Sequence, residues 1–373
     1  MLRPNGRADQ GGAILRGIGT AVPPHAARTE DTVEFLTRAL EAQPDCTPRL
    51  VRMVASMAQR SGVEQRATVL PDFLEKEPAR FEFFPASWSL DPFPTTAQRM
   101  ARYTEAAPVL AEEAARRALA DGDVDPASVT HLVLSTCTGF FAPGPDIQLI
   151  RRLGLRPDVQ RTVVGFMGCY AGINALRLAD QIVRADPKAV VLQVAVELCS
   201  LHYQRTPDAS LQVANLLFGD GASSAVYSSE GPGRARVRAT RSEVTADSAD
   251  QMRWDIGDHG FVMHLDPSVP KTIEQHARAF VEALVDDAPG ALGWAVHPGG
   301  RRIVEAVANA LDLTKDDLFA SFDVLREHGN LSSATILFVL DRALARRSAG
   351  DRVCVLGFGP GLTMEGATID VLR

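Results

Sequence analysis

From His131 onward the chain alternates short apolar runs with segments of helical period, and that alternation constrains its architecture more than any single residue. Residues 131–135, 161–165, 189–196, 223–227, 293–296 and 352–357 have the length and apolar character of buried strands. Between them, a segment from about Asp146 and residues 169–185, 272–285, 301–311 and 330–345 repeat apolar positions at the three- and four-residue spacing of a helix face. Strands separated by helices predict an α/β fold with largely parallel sheets. The loop at 228–234, with its Ser-Ser-Glu-Gly-Pro-Gly run, divides the chain into halves at 1–228 and 229–373. Each half sets a reactive residue at a strand-to-helix junction, as a duplicated unit would, although no letter-for-letter repeat is visible.

Upstream, residues 13–18 read as a strand that ends in the turn Gly19-Thr20-Ala21-Val22-Pro23-Pro24, and 31–41 and 49–60 read as helices. Residues 71–94 lose all period but carry Phe81, Phe83, Phe84, Trp88 and Phe93; so many aromatics do not stay solvated, which predicts an ordered surface excursion. A long helix is expected over 95–120, capped by Thr95 or Thr96, and Gly219-Asp220-Gly221-Ala222 reads as a tight turn before a strand. Residues 1–12 read as a disordered leader.

The 373 residues are 46% hydrophobic and 23% charged, as in an ordinary globular protein, and the net charge of −7 argues against a general nucleic-acid binder. The five cysteines (Cys46, Cys137, Cys169, Cys199, Cys354) form no CxxC pair and no regular spacing with histidine, which argues against zinc. Their odd, sparse count fits a reducing compartment. With no apolar leader and no apolar stretch near the ~18 residues of a membrane span, the expectation is a cytoplasmic protein.

Cys169 stands in Val163-Val164-Gly165-Phe166-Met167-Gly168-Cys169-Tyr170-Ala171-Gly172, where an apolar run meets small residues and then a helical pattern. The first turn of a helix favours thiolate over thiol, which predicts a nucleophile; the alternative is a small buried hydrophobe. His297 precedes Pro298-Gly299-Gly300, where the backbone can approach a ligand closely, yet alone it would read as structural. Asn330, between Gly329 and Leu331-Ser332-Ser333, would alone read as a helix cap, and nearby His328 competes with His297 for the role of base. Taken together, Cys, His and Asn make chemical sense. A thiolate beside an imidazolium accepts an acyl group, and the His and Asn N–H groups donate to one carbonyl oxygen as a malonyl thioester loses CO₂. Papain-like hydrolases use the same residue types, but their cysteine has neighbours absent here.

Gly168-Cys169-Tyr170-Ala171-Gly172, Leu217-Phe218-Gly219-Asp220-Gly221-Ala222, His297-Pro298-Gly299-Gly300, His328-Gly329-Asn330-Leu331-Ser332-Ser333 and Gly357-Phe358-Gly359-Pro360-Gly361-Leu362-Thr363 stand in an order that closely resembles the type III polyketide synthases, the chalcone synthase-like branch of the thiolase superfamily. The resemblance runs from about Ala13 to the C-terminus. It implies a homodimeric thiolase fold, layered αβαβα in two similar halves. It also implies that Cys169 takes an acyl group from CoA while His297 and Asn330 drive decarboxylation of malonyl-CoA, with no metal, phosphopantetheine arm or nicotinamide.

By the same resemblance, the two gatekeeper phenylalanines fall at Tyr203 and Met263, the starter-pocket threonine at Cys137 beside Thr138, the cavity-depth glycine at Trp254 and the pocket serine at Ser332. Gly359 and Pro360 belong to the cyclisation loop, and the methionine that crosses the dimer becomes Ala142. Of the basic positions that hold CoA, only Arg60 matches; Arg49, Arg52 and Arg66 are nearby and read as a solvated face. The implied product is a pyrone, resorcinol or related aromatic, with a fatty acyl starter favoured by the loss of the plant pocket pattern. A malonyl-only route to a naphthalene-type product and a single condensation of the ketoacyl-ACP synthase III kind are the alternatives.

Overall fold

The computed structural model describes residues 11–285 and 290–373; the expected leader falls almost wholly outside these. The first half runs β1 (Ile14–Ala21), β2 (His25–Arg28), α1 (Thr29–Glu41), α2 (Pro48–Ser61), β3 (Gln65–Thr68), α3 (Thr96–Asp121), β4 (His131–Thr136), α4 (Pro145–Leu153), β5 (Gln160–Gly165), α5 (Ala171–Ala185), β6 (Val190–Leu198), α6 (Ala209–Leu217) and β7 (Asp220–Ser228). The second runs β8 (Ala235–Val244), β9 (Met252–Gly257), β10 (Gly260–Leu265), α7 (Val269–Glu282), β11 (Leu292–Val296), α8 (Arg301–Leu311), α9 (Phe319–His328), α10 (Thr335–Leu344), β12 (Arg352–Gly359) and β13 (Thr363–Val371).

Nine strands form one sheet in the order β11-β12-β13-β8-β1-β7-β6-β4-β5. Only β11–β12, β4–β5 and β4–β6 pair in parallel, so the expectation of largely parallel sheets is corrected to a mixed sheet. The cause is β1, β7, β8 and β13, which return antiparallel beside the crossover strands. Outward from the β1–β8 junction, β1-β7-β6-β4 and β8-β13-β12-β11 show the same sequence of two antiparallel steps and one parallel step. The duplication absent from the letters is thus present in the connectivity.

Between the two arms of the sheet lie α5 and α10. Ile173, Leu176, Ala179 and Val183 of α5 and Ile336, Leu337, Val339 and Leu340 of α10 share one buried cluster with Val133 and Val191 from one arm and Val353, Val355 and Ile369 from the other. Helix α10 is apolar almost all round, as an internal layer requires. On the outer faces, α1, α2 and α3 cover the first arm and α7 and α8 the second, which completes the αβαβα layering.

Helix α3 begins where expected, with Thr95 and Gln98 forming a reciprocal cap. The aromatic excursion is ordered: Phe35 of α1 packs against Phe73, Phe81, Phe84 and Trp88. Buried Asp72 fixes its path by accepting the backbone N–H groups of Glu82, Phe83 and Phe84. Gly219-Asp220-Gly221-Ala222 is not a free turn, because β7 starts at Asp220. The Asp220 carboxylate takes the N–H groups of Val69 and Ser200, at 2.7 and 2.8 Å, and so pins the strand start. Nor does Asn330 begin a helix. Its N–H and C=O pair with Leu217 and Gly219 across a bridge, and α10 starts only after a short 3₁₀ turn. The hairpin β9–β10, helices α6 and α9 and strands β8 and β13 went unpredicted. Strand β8 is largely polar, and a polar strand paired on both sides carries little apolar period.

Candidate active site

Each member of the Cys–His–Asn set ends or precedes an element that points at the same space. Cys169 follows β5 and stands just before Tyr170, the cap of α5. The preceding Gly168 has φ of +86°, and a Cβ there would lie 2.5 Å from Pro360 Cδ, so only glycine brings Cys169 this close to the 357–361 loop. His297 extends β11, its N–H donating to the Leu356 carbonyl at 2.8 Å. Asn330 is held by the bridge to Phe218, and its Oδ1 accepts the Ser332 N–H at 2.8 Å. With Oδ1 occupied, the Nδ2 group faces Cys169 Sγ, 3.9 Å away. Residues Cys169, His297 and Asn330 line one chamber of about 40 Å³, together with Phe218, Met263 and Phe358.

Burial sets the charge states here. Both nitrogens of His297 lack a hydrogen-bond partner among the described residues, and desolvation holds its pKa down at about 3, leaving a neutral ring. Desolvation pushes the Cys169 thiol up to about 11, against smaller lowering effects from Ser332 and Asn330. Burial thus opposes the expected thiolate–imidazolium pair, while Ser332 and Asn330 pull the thiol the other way. His202 is an instructive contrast. It is as buried and as neutral, but its Nε2 bonds Thr138 O at 2.7 Å and its Nδ1 the Phe261 N–H at 3.0 Å, so it is a satisfied wall residue. His328, the competing base, packs on Phe338 beside Arg342 and lines none of the three chambers around Cys169.

Two further chambers adjoin the first. Cys137, Thr138, Trp254, Met263, Ser332 and Pro360 line the second, of about 20 Å³, together with Cys169 itself. The third, of about 30 Å³, lies beyond Trp254 and Met263 and reaches Arg66, His202 and Tyr203. The Trp254 indole is fixed by a 2.8 Å bond from Nε1 to Cys137 O. Tyr203 lines only this third chamber, against Phe35, Phe73, Phe84 and Phe93. The aromatic that lines all three chambers is Phe218, whereas Tyr203, the residue expected at a gate, reaches only the third. Gly359 lines no chamber; a Cβ there would meet the Tyr170 ring at 2.6 Å. Arg66 is not solvated: it is buried, donates to the Asn215 and Phe218 carbonyls and thereby holds Phe218. Arg60 is exposed on the last turn of α2, two residues before Gly62, which packs against Arg301 at the start of α8.

Sequence reasoning missed Glu197. It is fully buried on β6 and accepts from Cys137 N–H at 3.1 Å, Cys137 S–H at 3.1 Å, Thr138 O–H at 2.7 Å and the Ser333 hydroxyl. A lone carboxylate in the apolar run 190–198 was the available signal.

The family description for chalcone and stilbene synthases matches residues 3–231 with its N-terminal domain and 237–372 with its C-terminal domain. The alpha-pyrone synthesis polyketide synthase-like protein of Mycobacterium tuberculosis is 30% identical over 97% of this chain and 92% of its own length. Among solved structures, the C-terminal type III polyketide synthase domain of Steely1 from Dictyostelium superposes with a TM-score of 0.87 at 26% identity, covering 97% of this chain and 100% of that one. PKS-I of the brown alga Ectocarpus siliculosus gives 0.88 at 28% identity, covering 97% and 99%. The chain belongs to the chalcone and stilbene synthase family, and it is an acyltransferase of the type III polyketide synthase class with a thiolase fold.

Proposed function

We propose that the chain builds a polyketide by repeated decarboxylative condensation of malonyl-CoA onto an acyl group carried by Cys169. The observation that carries this reading is the convergence of Cys169, unpartnered His297 and a pinned Asn330 amide on one chamber. Cys169 attacks the acyl-CoA thioester and CoA leaves. A malonyl-CoA then places its thioester oxygen between the His297 ring N–H and Asn330 Nδ2. As CO₂ departs, the electron pair moves onto that oxygen, and two neutral donors in a dry chamber stabilise the enolate. The enolate carbon attacks the acyl-Cys169 carbonyl; a C–C bond forms, the C–S bond breaks and the cysteine is freed for reloading. A neutral imidazole suits this role, since it still carries one ring N–H to donate. Residues 1–228 supply the nucleophile and 229–373 the two donors. Arg60, exposed on the last turn of α2, and Arg301, which lies against Gly62, offer charge for the phosphates of CoA.

The bulky Trp254 and Met263, which stand between the second and third chambers, favour a compact starter, a short acyl group or malonyl itself, over a fatty acyl chain. Pyrone or aromatic ring closure would take place against Pro360 and Trp254 in the second chamber. A homodimer is supported by β5, an edge strand with Val163 48% exposed, flanked by Phe140 at 41% and Met167 at 38%. The exposed Ala142 lies on the same side, in the loop after Phe140. No helix among the described residues is long and apolar enough to cross a membrane. We place the enzyme in the cytoplasm, as the reduced, unpaired cysteines favour.

Cys169→Ala removes covalent loading but leaves both donors, so it is expected to abolish condensation while still releasing CO₂ from labelled malonyl-CoA. His297→Ala or Asn330→Ala should instead lower CO₂ release by about 10²–10³-fold. Equal loss of CO₂ release in all three variants would count against the division of roles. In a panel of acyl-CoA starters of increasing length, turnover should fall beyond short chains, and Trp254→Ala should extend the accepted length by joining the second and third chambers. A wild-type preference for long acyl chains would refute the compact starter. Light scattering should return twice the chain mass, and a monomer mass would refute the dimer.

A further inference from the structure

Trp254 and Met263, which stand between the second and third chambers, are both carried by the β9–β10 hairpin and face each other in its register. Among the described residues that hairpin pairs with no other strand. A two-stranded ribbon is marginal on its own, so its position depends on what holds it. Its tip, Gly257-Asp258-His259-Gly260, lies against the start of α3. The Thr96 N–H, one of the donors that a helix start leaves without an internal partner, donates to Asp258 O at 2.7 Å. The Thr96 hydroxyl donates to Gly257 O and accepts the Gly260 N–H at 2.8 Å. One side chain thus takes a polar group from each member of the residue pair that closes the turn. Gly260 has φ of +99°, and a Cβ there would lie 3.0 Å from Arg99 Cδ, so the turn sits directly on α3. The Gln204 amide adds bonds to His259 O at 3.1 Å and Phe261 O at 3.3 Å. At the open end of the hairpin the Ser210 hydroxyl bridges Leu265 in the same way, to its C=O at 3.0 Å and from its N–H at 3.3 Å.

We propose that Thr96 is a positioning residue for starter selection: its hydroxyl fixes the hairpin tip and so holds Trp254 and Met263 as the partition between the second and third chambers. The inference rests on the reading of those two side chains as the limit on starter length. Trp254 is joined to Gly257, and Met263 to Gly260, by a short run of β9 and β10, so a shift of the tip is carried to both. Trp254 has a second anchor in the bond from its Nε1 to Cys137 O, which fixes the ring. Met263 has only a flexible thioether chain, and its place follows the backbone that bears it. Thr96 itself lines none of the three chambers, so it acts on the partition from outside the site. Nor does it cap α3, since Thr95 and Gln98 do that. Both bonds of its hydroxyl leave the helix for the hairpin. Their loss therefore leaves the helix start intact and frees the tip alone.

The test compares Thr96→Val, which keeps the shape and loses both hydroxyl bonds, with Thr96→Ser, which keeps them. Hydrogen exchange is read by mass on the full chain. In Thr96→Val it should quicken about tenfold or more in the peptide that spans β9 and β10, and keep the wild-type rate in that of α5. The second readout is the ratio of kcat/KM for hexanoyl-CoA to that for acetyl-CoA. It should rise about fivefold or more in Thr96→Val as the partition loosens, and return to the wild-type value in Thr96→Ser. Thr96→Ala serves where the Val variant fails to fold. Unchanged exchange in the hairpin would overturn the proposal. So would faster exchange with an equal fall for both starters, which is what a purely structural role predicts, where Trp254→Ala itself shifts the ratio. A wild-type ratio in Trp254→Ala would instead overturn the reading of the partition, and the exchange result alone would then decide whether Thr96 fixes the tip.

Discussion

Exclusion of water from the space between the Cys169 loop, β11 and the Asn330 bridge sets the chemistry of the whole site. Cys169 is 6% exposed and His297 1%, and this burial disfavours the charged form of each. The consequence is a division of labour. An uncharged imidazole and an amide are permanent hydrogen-bond donors, suited to negative charge that develops on oxygen, and cost no reorganisation when it appears.

That dry space exists because backbone comes closer to backbone than side chains would permit. Gly168 lets the Cys169 loop touch Pro360, and Gly359 lets the same loop's Tyr170 ring lie flat on β12. Gly329, with φ of +70°, would place a Cβ 2.5 Å from the Leu217 carbonyl, so glycine there allows the bridge that fixes Asn330. The duplicated topology brings these junctions together, with α5 starting behind the nucleophile and α10 behind the asparagine. The same bridge carries Phe218 to the meeting point of all three chambers, where Arg66 holds its carbonyl.

Much of this was legible in the residues, for a physical reason. Cys169, His297 and Asn330 sit among glycines and at changes of period, and both signals are local. The alternation of strands and helices pointed to the α/β class, and the αβαβα layering followed from the family resemblance. What was not legible depends on contacts between segments distant in sequence. Strand direction needed β1, β7, β8 and β13 placed beside one another, and local period says nothing about neighbours. The nearness of Cys169 to a helix start is a local signal, whereas its burial by the distant 330–332 and 358–360 segments is not. Tyr203 and Phe218 are both aromatics near the right place; only packing reveals that the first belongs to the Phe35 cluster and the second to the chamber. Glu197 offers a sharper lesson. A carboxylate inside an apolar strand is a strong sign of a built polar network, and it was visible from the start.

The central claim is that the growing chain is carried on Cys169. The most direct measurement is the mass of the Cys169 peptide after the wild-type enzyme has been incubated with a short acyl-CoA and malonyl-CoA and quenched in acid. A ladder of adducts is expected on that peptide: the starter acyl group, then the starter plus successive two-carbon ketide units. An unmodified Cys169 peptide throughout turnover, or a ladder carried on Cys137 or Cys199 instead, would contradict it.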